Sequence, residues 1–183
     1  MKNLPNILTS LRILLIPAIL YCIILNTQFS NTVALVIFLS ASASDYFDGY
    51  LARKYSFISS FGTMLDPIAD KLLIIMVGIV LLYRGDINGI NFIPLLLIIS
   101  REVFISGLRE YLAQLKTKIK LPVSNLGKYK TTTQMFALLF LISSPLINNA
   151  IISISEIGIA LLWVASALSI ISGYQYTIKF YKN

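Results

Sequence analysis

Four aspartates, Asp45, Asp48, Asp66 and Asp70, stand within 26 residues of a chain that is otherwise mostly apolar, and they make up half of its eight acidic residues. An aspartate at the centre of a membrane helix costs roughly 2.5–3.5 kcal/mol, so four in adjoining apolar segments oppose folding by about 10 kcal/mol unless something binds them. Their spacing shows what that could be. At about 100° per residue, Asp48, Gly49, Ala52 and Arg53 all fall within roughly 80° of Asp45 around a helix. One face therefore carries two carboxylates, two residues with almost no side chain, and a guanidinium. Asp66 and Asp70, one turn apart, form a second pair on the next apolar segment.

Four oxygen donors without a histidine or a usable thiolate favour a hard divalent cation, Mg²⁺ or Mn²⁺, over zinc or copper. Mg²⁺ is commonly held by carboxylates together with substrate phosphates. Gly49 and Ala52 would let a phosphate ester come close to the backbone, and Arg53 offers a fork of donors to it. The face reads as a metal and phosphate site. The competing reading has Arg53 and Lys54 neutralise surface acids while Asp66 and Asp70 cap a helix; capping uses one acid, and the chain has four.

A second group of charges is cationic. Arg101 and Arg109 lie eight residues apart, about two turns, on nearly one face of the fourth apolar segment. Both could point into a bundle; alternatively each pairs with the glutamate that follows it, Glu102 or Glu110, or snorkels to the interface. Lys128 and Lys130 are expected just before a fifth helix, after Gly127, where a helix N-terminus and two ammonium groups together favour a phosphate. Lys116, Lys118 and Lys120 read instead as a solvated loop drawn to lipid.

These residues have to be positioned by membrane helices. The composition is 57% hydrophobic and 13% charged, which places the chain in the membrane class, and 183 residues suit a single domain spanning 1–183. Six apolar stretches are long enough to cross a bilayer, at about 7–26, 32–52, 62–83, 91–113, 130–147 and 153–173. The expected fold is an all-α integral membrane protein: a six-transmembrane-helix bundle with a short N-terminal interfacial segment around Pro5 and a possible kink at Pro17. A polar link over 54–60 would fold the second and third helices into an antiparallel hairpin, so that the two aspartate pairs face each other.

An even number of spans puts both termini on one side. Lys2, Arg53, Lys54, the lysines from 116 to 130, Lys179 and Lys182 gather there, and Arg84 alone falls in an outward loop. The positive-inside rule makes the basic side cytoplasmic. The net charge of +7 is thus orientation toward anionic membrane lipids, with no nucleic-acid partner implied. The single cysteine, Cys22, excludes an intrachain disulfide. Tyr174, Tyr176 and Tyr181, expected after the last helix, suit a headgroup-level aromatic belt.

The spacing D-x2-D-G-x2-A-R-x8-G-x3-D-x3-D is matched throughout by Asp45, Asp48, Gly49, Ala52, Arg53, Gly62, Asp66 and Asp70. It resembles the signature of the CDP-alcohol phosphotransferases, membrane enzymes that displace CMP from a CDP-linked lipid with an alcohol. NLPNILTSLR at the start, ISREVFISGLREYLA in the fourth helix and LGKYKTTTQM before the fifth are similar to the bacterial branch that forms phosphatidylglycerophosphate. That resemblance implies a bacterial inner-membrane protein whose partners are CDP-diacylglycerol as donor, sn-glycerol 3-phosphate as acceptor, and a second copy of the chain in a homodimer. It implies two divalent cations, with Asp45, Asp48 and Asp66 as ligands and Asp70 as general base that also touches a metal. Asn6, Gly49, Arg53 and Ser59 would contact the CDP-diacylglycerol headgroup. Arg101, Arg109, Lys128 and Lys130 would hold the acceptor's phosphate.

Three other readings compete. A sibling enzyme could use inositol phosphate, serine or phosphatidylglycerol; the cations favour a phosphorylated acceptor over serine. A cation transporter would spread its acids along a path across the membrane, whereas here the outer halves of the segments are almost wholly apolar. An assembly protein leaves the four aspartates unexplained.

Overall fold

A computed structural model of the chain describes residues 4–55, 60–114, 125–147 and 153–181; within the helices, side chains are described except at 4–9, 45–55, 60–64, 66, 113, 125, 179 and 181. Six α-helices and two short 3-10 turns make up the described residues, with no strand among them. The helices are α1 (Leu4–Leu25), α2 (Gln28–Tyr55), α3 (Ser60–Arg84), α4 (Phe92–Gln114), α5 (Asn125–Ser143) and α6 (Ile154–Tyr181). α1 packs on both α2 and α3, α5 packs on α6, and α4 packs on α6; α5 also touches α2 and α3.

Local chemistry explains where the helices turn. Asn26 adopts φ 48°, the left-handed conformation that closes α1. Thr27 then opens α2 with a reciprocal cap: its hydroxyl accepts from the Ser30 amide at 3.1 Å, and the Ser30 hydroxyl accepts from the Thr27 amide at 2.9 Å. α3 closes on Gly85 at φ 91°. The Gly85 amide donates to Leu82 O at 3.2 Å and the Asp86 amide to Leu81 O at 3.1 Å, which together satisfy two carbonyls of the last turn. Pro145 stops α5.

The helices share a core of Ile16, Ile19 and Ile23 on α1, Phe38 on α2, Leu73, Val77 and Leu81 on α3, Leu95 and Ile98 on α4, Leu138 and Leu141 on α5, and Leu162 on α6. Small residues let α6 approach its neighbours. A Cβ at Gly158 would stand 3.2 Å from the Leu141 backbone nitrogen, so α5 and α6 touch nearly backbone to backbone. The outward faces are apolar too, with Leu14, Phe29, Val36, Ile79, Val103, Phe104, Val164 and Ile171 all exposed. Helices that are apolar on both faces suit a lipid surround. Among the described residues, two stretches are long and apolar enough to cross a membrane, Gly89–Leu112 and Ile154–Ile178, while Ser10–Leu25 and Gln28–Ser44 are shorter apolar helices.

Several expected boundaries move. The interfacial segment expected at the N-terminus is part of α1, because Pro5 sits at the start of the helix, where its missing N–H has no intrahelical partner to lose. α5 begins at Asn125, so Lys128 and Lys130 lie inside it and not before it. In the polar run after them the Thr131, Thr132 and Thr133 hydroxyls bond back to carbonyls of their own helix, at 2.9, 3.1 and 2.8 Å, and so are satisfied without a partner outside it. α6 continues through Tyr181, so Tyr174, Tyr176 and Tyr181 belong to it; the apolar run ends, but nothing there breaks the helix.

At one end of the bundle, Arg84 ties four helices. Its Nη1 donates to Asn31 Oδ1 at 2.9 Å and to the Ile23 carbonyl at 3.4 Å, its Nη2 donates to the Leu141 carbonyl at 3.3 Å, and its Nε donates to Asp86. A guanidinium placed among the last carbonyls of α1 and α5 meets the negative ends of two helix dipoles. Sequence reading places Arg84 in an outward loop; in the fold it is the last residue of α3, and largely buried.

Candidate active site

The other end of the bundle holds a cavity of about 250 Å³ between α3, α4 and α5. From α3 come Asp70 and Lys71, with Ile74 and Ile75 one turn deeper; from α4 come Arg101, Glu102 and Arg109; from α5 come Lys128, Lys130, Thr131 and Gln134. α3 and α5 present these residues at three- and four-residue steps, and Arg101 and Glu102 of α4 stand about two turns before Arg109, so each helix contributes one stripe. Five cations, Lys71, Arg101, Arg109, Lys128 and Lys130, face two carboxylates, Asp70 and Glu102. The lining is positive by three, which makes the cavity a receptor for an anion.

Glu102 organises the cationic wall. Its Oε1 accepts from Lys130 Nζ and, at 3.1 Å, from Arg101 Nη1. Arg101 is braced from behind, where Nη2 donates to Ser172 Oγ at 3.2 Å and Gly173 leaves room for the side chain. A Cβ at Gly173 would lie 3.1 Å from Arg101 Cγ. Lys71 Nζ donates to Ser106 Oγ, which in turn donates to the Glu102 carbonyl at 2.5 Å. The pairing satisfies buried charge that would otherwise be costly. It also divides the cations: Lys130 is buried and committed to Glu102, while Arg109 and Lys128 are exposed at the mouth. Arg109 lies over the Tyr176 ring, 5.4 Å from its centre, and Tyr111 meets Phe180 at 6.3 Å. The extended end of α6 thus buttresses the end of α4.

Asp70 stands at the rim. Arg12 of α1, only 1% exposed, donates from Nη1 to Asp70 Oδ1 at 2.9 Å, and the Asp70 side chain is 36% exposed. A carboxylate oriented by a buried guanidinium beside an anion receptor can take a proton from a hydroxyl whose charged end is held nearby.

Of the residues singled out in the sequence, the structure brings Asp70, Arg101, Arg109, Lys128 and Lys130 into this one cavity. For Arg101 both readings describe it, since it pairs with Glu102 and still lines the cavity. Asp45, Asp48, Gly49 and Arg53 fall in the last turns of α2, Asp66 in the first turns of α3, and Asn6 in α1; their side chains lie outside the described residues, as does Ser59 altogether. No cluster of three or more metal-ligating side chains occurs among the described residues. Arg12, Lys71, Glu102 and Gln134 were not expected at the site. Arg12 and Glu102 did carry a signal, being charges embedded in or next to apolar runs, where charge is presumed to have a partner.

The model of the CDP-alcohol phosphatidyltransferase family matches residues 2–171. A protein of Rickettsia typhi described as CDP-diacylglycerol–glycerol-3-phosphate 3-phosphatidyltransferase is 47% identical over 176 residues, covering 96% of this chain and 96% of that protein. Proteins of the same description from Shigella flexneri and Cereibacter sphaeroides are 38% and 33% identical, covering 95% and 97% of this chain and 92% and 95% of their own length.

Proposed function

The chain belongs to the CDP-alcohol phosphatidyltransferase family, and from that premise we propose that it transfers the phosphatidyl group of CDP-diacylglycerol to sn-glycerol 3-phosphate. The products are phosphatidylglycerophosphate and CMP. The observation that carries the choice of acceptor is the cavity itself, in which a partly exposed carboxylate, Asp70, shares one wall-to-wall space with five cations. The same positive lining argues against a cation transporter.

In this reading Arg109 and Lys128 at the mouth bind the acceptor's phosphate, and Arg101 and Lys130 add positive field from the wall. Asp70, held by Arg12, removes the proton from the 1-hydroxyl. The oxygen attacks the phosphorus bearing the diacylglycerol, the bond from that phosphorus to the bridging oxygen breaks, and CMP leaves. Asn6, Gly49, Arg53 and Ser59 would hold the CDP-diacylglycerol headgroup.

Asp45, Asp48, Asp66 and Asp70 would hold divalent cations, Mg²⁺ or Mn²⁺; the donor set fits, since it is all carboxylate oxygen and the chain has no histidine. Bound there, such cations supply charge to offset a diphosphate and to ease loss of a hydroxyl proton. The gathering of Asp70 and the cations at the end opposite Arg84 supports six spans with the cavity and both termini on the cytoplasmic side.

The test is CMP release from CDP-diacylglycerol by purified protein in detergent with Mg²⁺ or Mn²⁺. Release should depend on sn-glycerol 3-phosphate, cease with EDTA, and fall by about 10²–10⁴-fold in Asp70→Asn. Release that depends instead on serine, inositol phosphate or phosphatidylglycerol would overturn the acceptor.

A further inference from the structure

Gln134 is 1% exposed, is among the residues that line the cavity, and has no hydrogen-bond partner for either its amide oxygen or its amide nitrogen among the described residues. Buried polar atoms are seldom left so, because each was stripped of water on folding. No described side chain nearby takes the amide up. Lys130, one turn back, is committed to Glu102, and the Thr131 hydroxyl donates to the Lys128 carbonyl at 2.9 Å. The amide therefore faces the cavity with its full hydrogen-bonding capacity.

The chemistry of that group selects its ligand. A primary amide is neutral and sets a donor beside an acceptor. A phosphate only accepts at neutral pH and is better served by the cations; an ammonium only donates and is repelled by them. A hydroxyl does both, and two hydroxyls on adjacent carbons match the amide's two ends. Gln134 lies six residues beyond Lys128, about 9 Å further along α5, so the exposed cations and the buried amide read different parts of one small molecule.

We propose that Gln134 is a specificity-determining residue that binds the C2 hydroxyl of the acceptor, next to the C1 hydroxyl that reacts. The inference rests on the assignment of sn-glycerol 3-phosphate as acceptor. It goes further by naming the group that separates this acceptor from a phosphorylated alcohol without a second hydroxyl.

The experiment compares sn-glycerol 3-phosphate with 3-hydroxypropyl phosphate, which lacks only the C2 hydroxyl, in the CMP-release assay with the full chain in detergent. The wild type should favour sn-glycerol 3-phosphate by about 100-fold or more in kcat/KM, because a site built around a hydroxyl rejects the analogue without it. Gln134→Leu should lose about 100-fold toward sn-glycerol 3-phosphate, hold its activity toward the analogue, and bring the ratio of the two to within a few-fold of one. The KM for CDP-diacylglycerol should stay unchanged. If Gln134→Leu does not fold, Gln134→Met carries the same expectation. A wild type that uses both acceptors equally overturns the proposal, as does a variant that keeps the wild-type ratio, because a merely structural role would lower both activities together. A protein that releases no CMP with sn-glycerol 3-phosphate overturns the acceptor assignment and this inference with it; unselective release overturns this inference alone.

Discussion

At the scale of single residues, the site separates charges that can meet a ligand from charges that hold the wall. Lys128 and Arg109 are exposed and have no buried ion pair among the described residues, so removing either should leave the fold intact. Lys128→Ala and Arg109→Ala should each raise the KM for sn-glycerol 3-phosphate by about 10–100-fold, the loss of one charge-assisted hydrogen bond, with the KM for CDP-diacylglycerol unchanged. Steady-state kinetics with each substrate varied in turn checks this; a rise confined to CDP-diacylglycerol would reassign the two cations to the lipid donor. The aspartates between 45 and 70 are legible in the sequence because four acids in apolar segments demand an explanation. The pairing of Lys130 with Glu102 is not legible, since the two stand 28 residues apart on different helices and only packing brings them together. Gln134 is not legible for a related reason: an amide in a polar run gains meaning only where the packed helices bury it.

At the scale of helices, the number of elements can be read from apolar runs, but their ends cannot. Hydropathy marks where a helix leaves lipid, and α6 goes on for eight residues past the expected 173 because hydrogen bonding along the backbone does not depend on the surround. That extension matters, since it carries Tyr176 to Arg109. The tie at the opposite end makes a stability prediction. Arg84→Met would strand Asp86 and release Asn31 and two helix-end carbonyls, at a cost of about 3–5 kcal/mol. Thermal unfolding in micelles should show a clearly lowered Tm, while turnover well below that temperature stays near normal, because the α3 residues that line the cavity stop at Ile75, nine residues before Arg84. An unchanged Tm would mean that the tie adds nothing to stability.

At the scale of the whole molecule, polarity divides the bundle into two unlike ends. One carries short turns closed by Asn26, Gly85 and Arg84; the other gathers the cavity, its cations, the last turns of α2 and the first turns of α3. If the second end is cytoplasmic, a membrane-impermeant maleimide added to intact spheroplasts should label Asn88→Cys and spare Gln114→Cys, in a Cys22→Ala background that has no other thiol. The reverse pattern would invert the protein in its membrane. The site is also assembled across the chain: Arg101 is braced by Ser172, 71 residues later. At about 5–20 residues per second, a newly made chain waits roughly 4–14 s between synthesis of the guanidinium and synthesis of its brace. During that interval Arg101 has Glu102 beside it but not its brace, and the last helix to be made supplies the hydroxyl that completes this wall of the cavity.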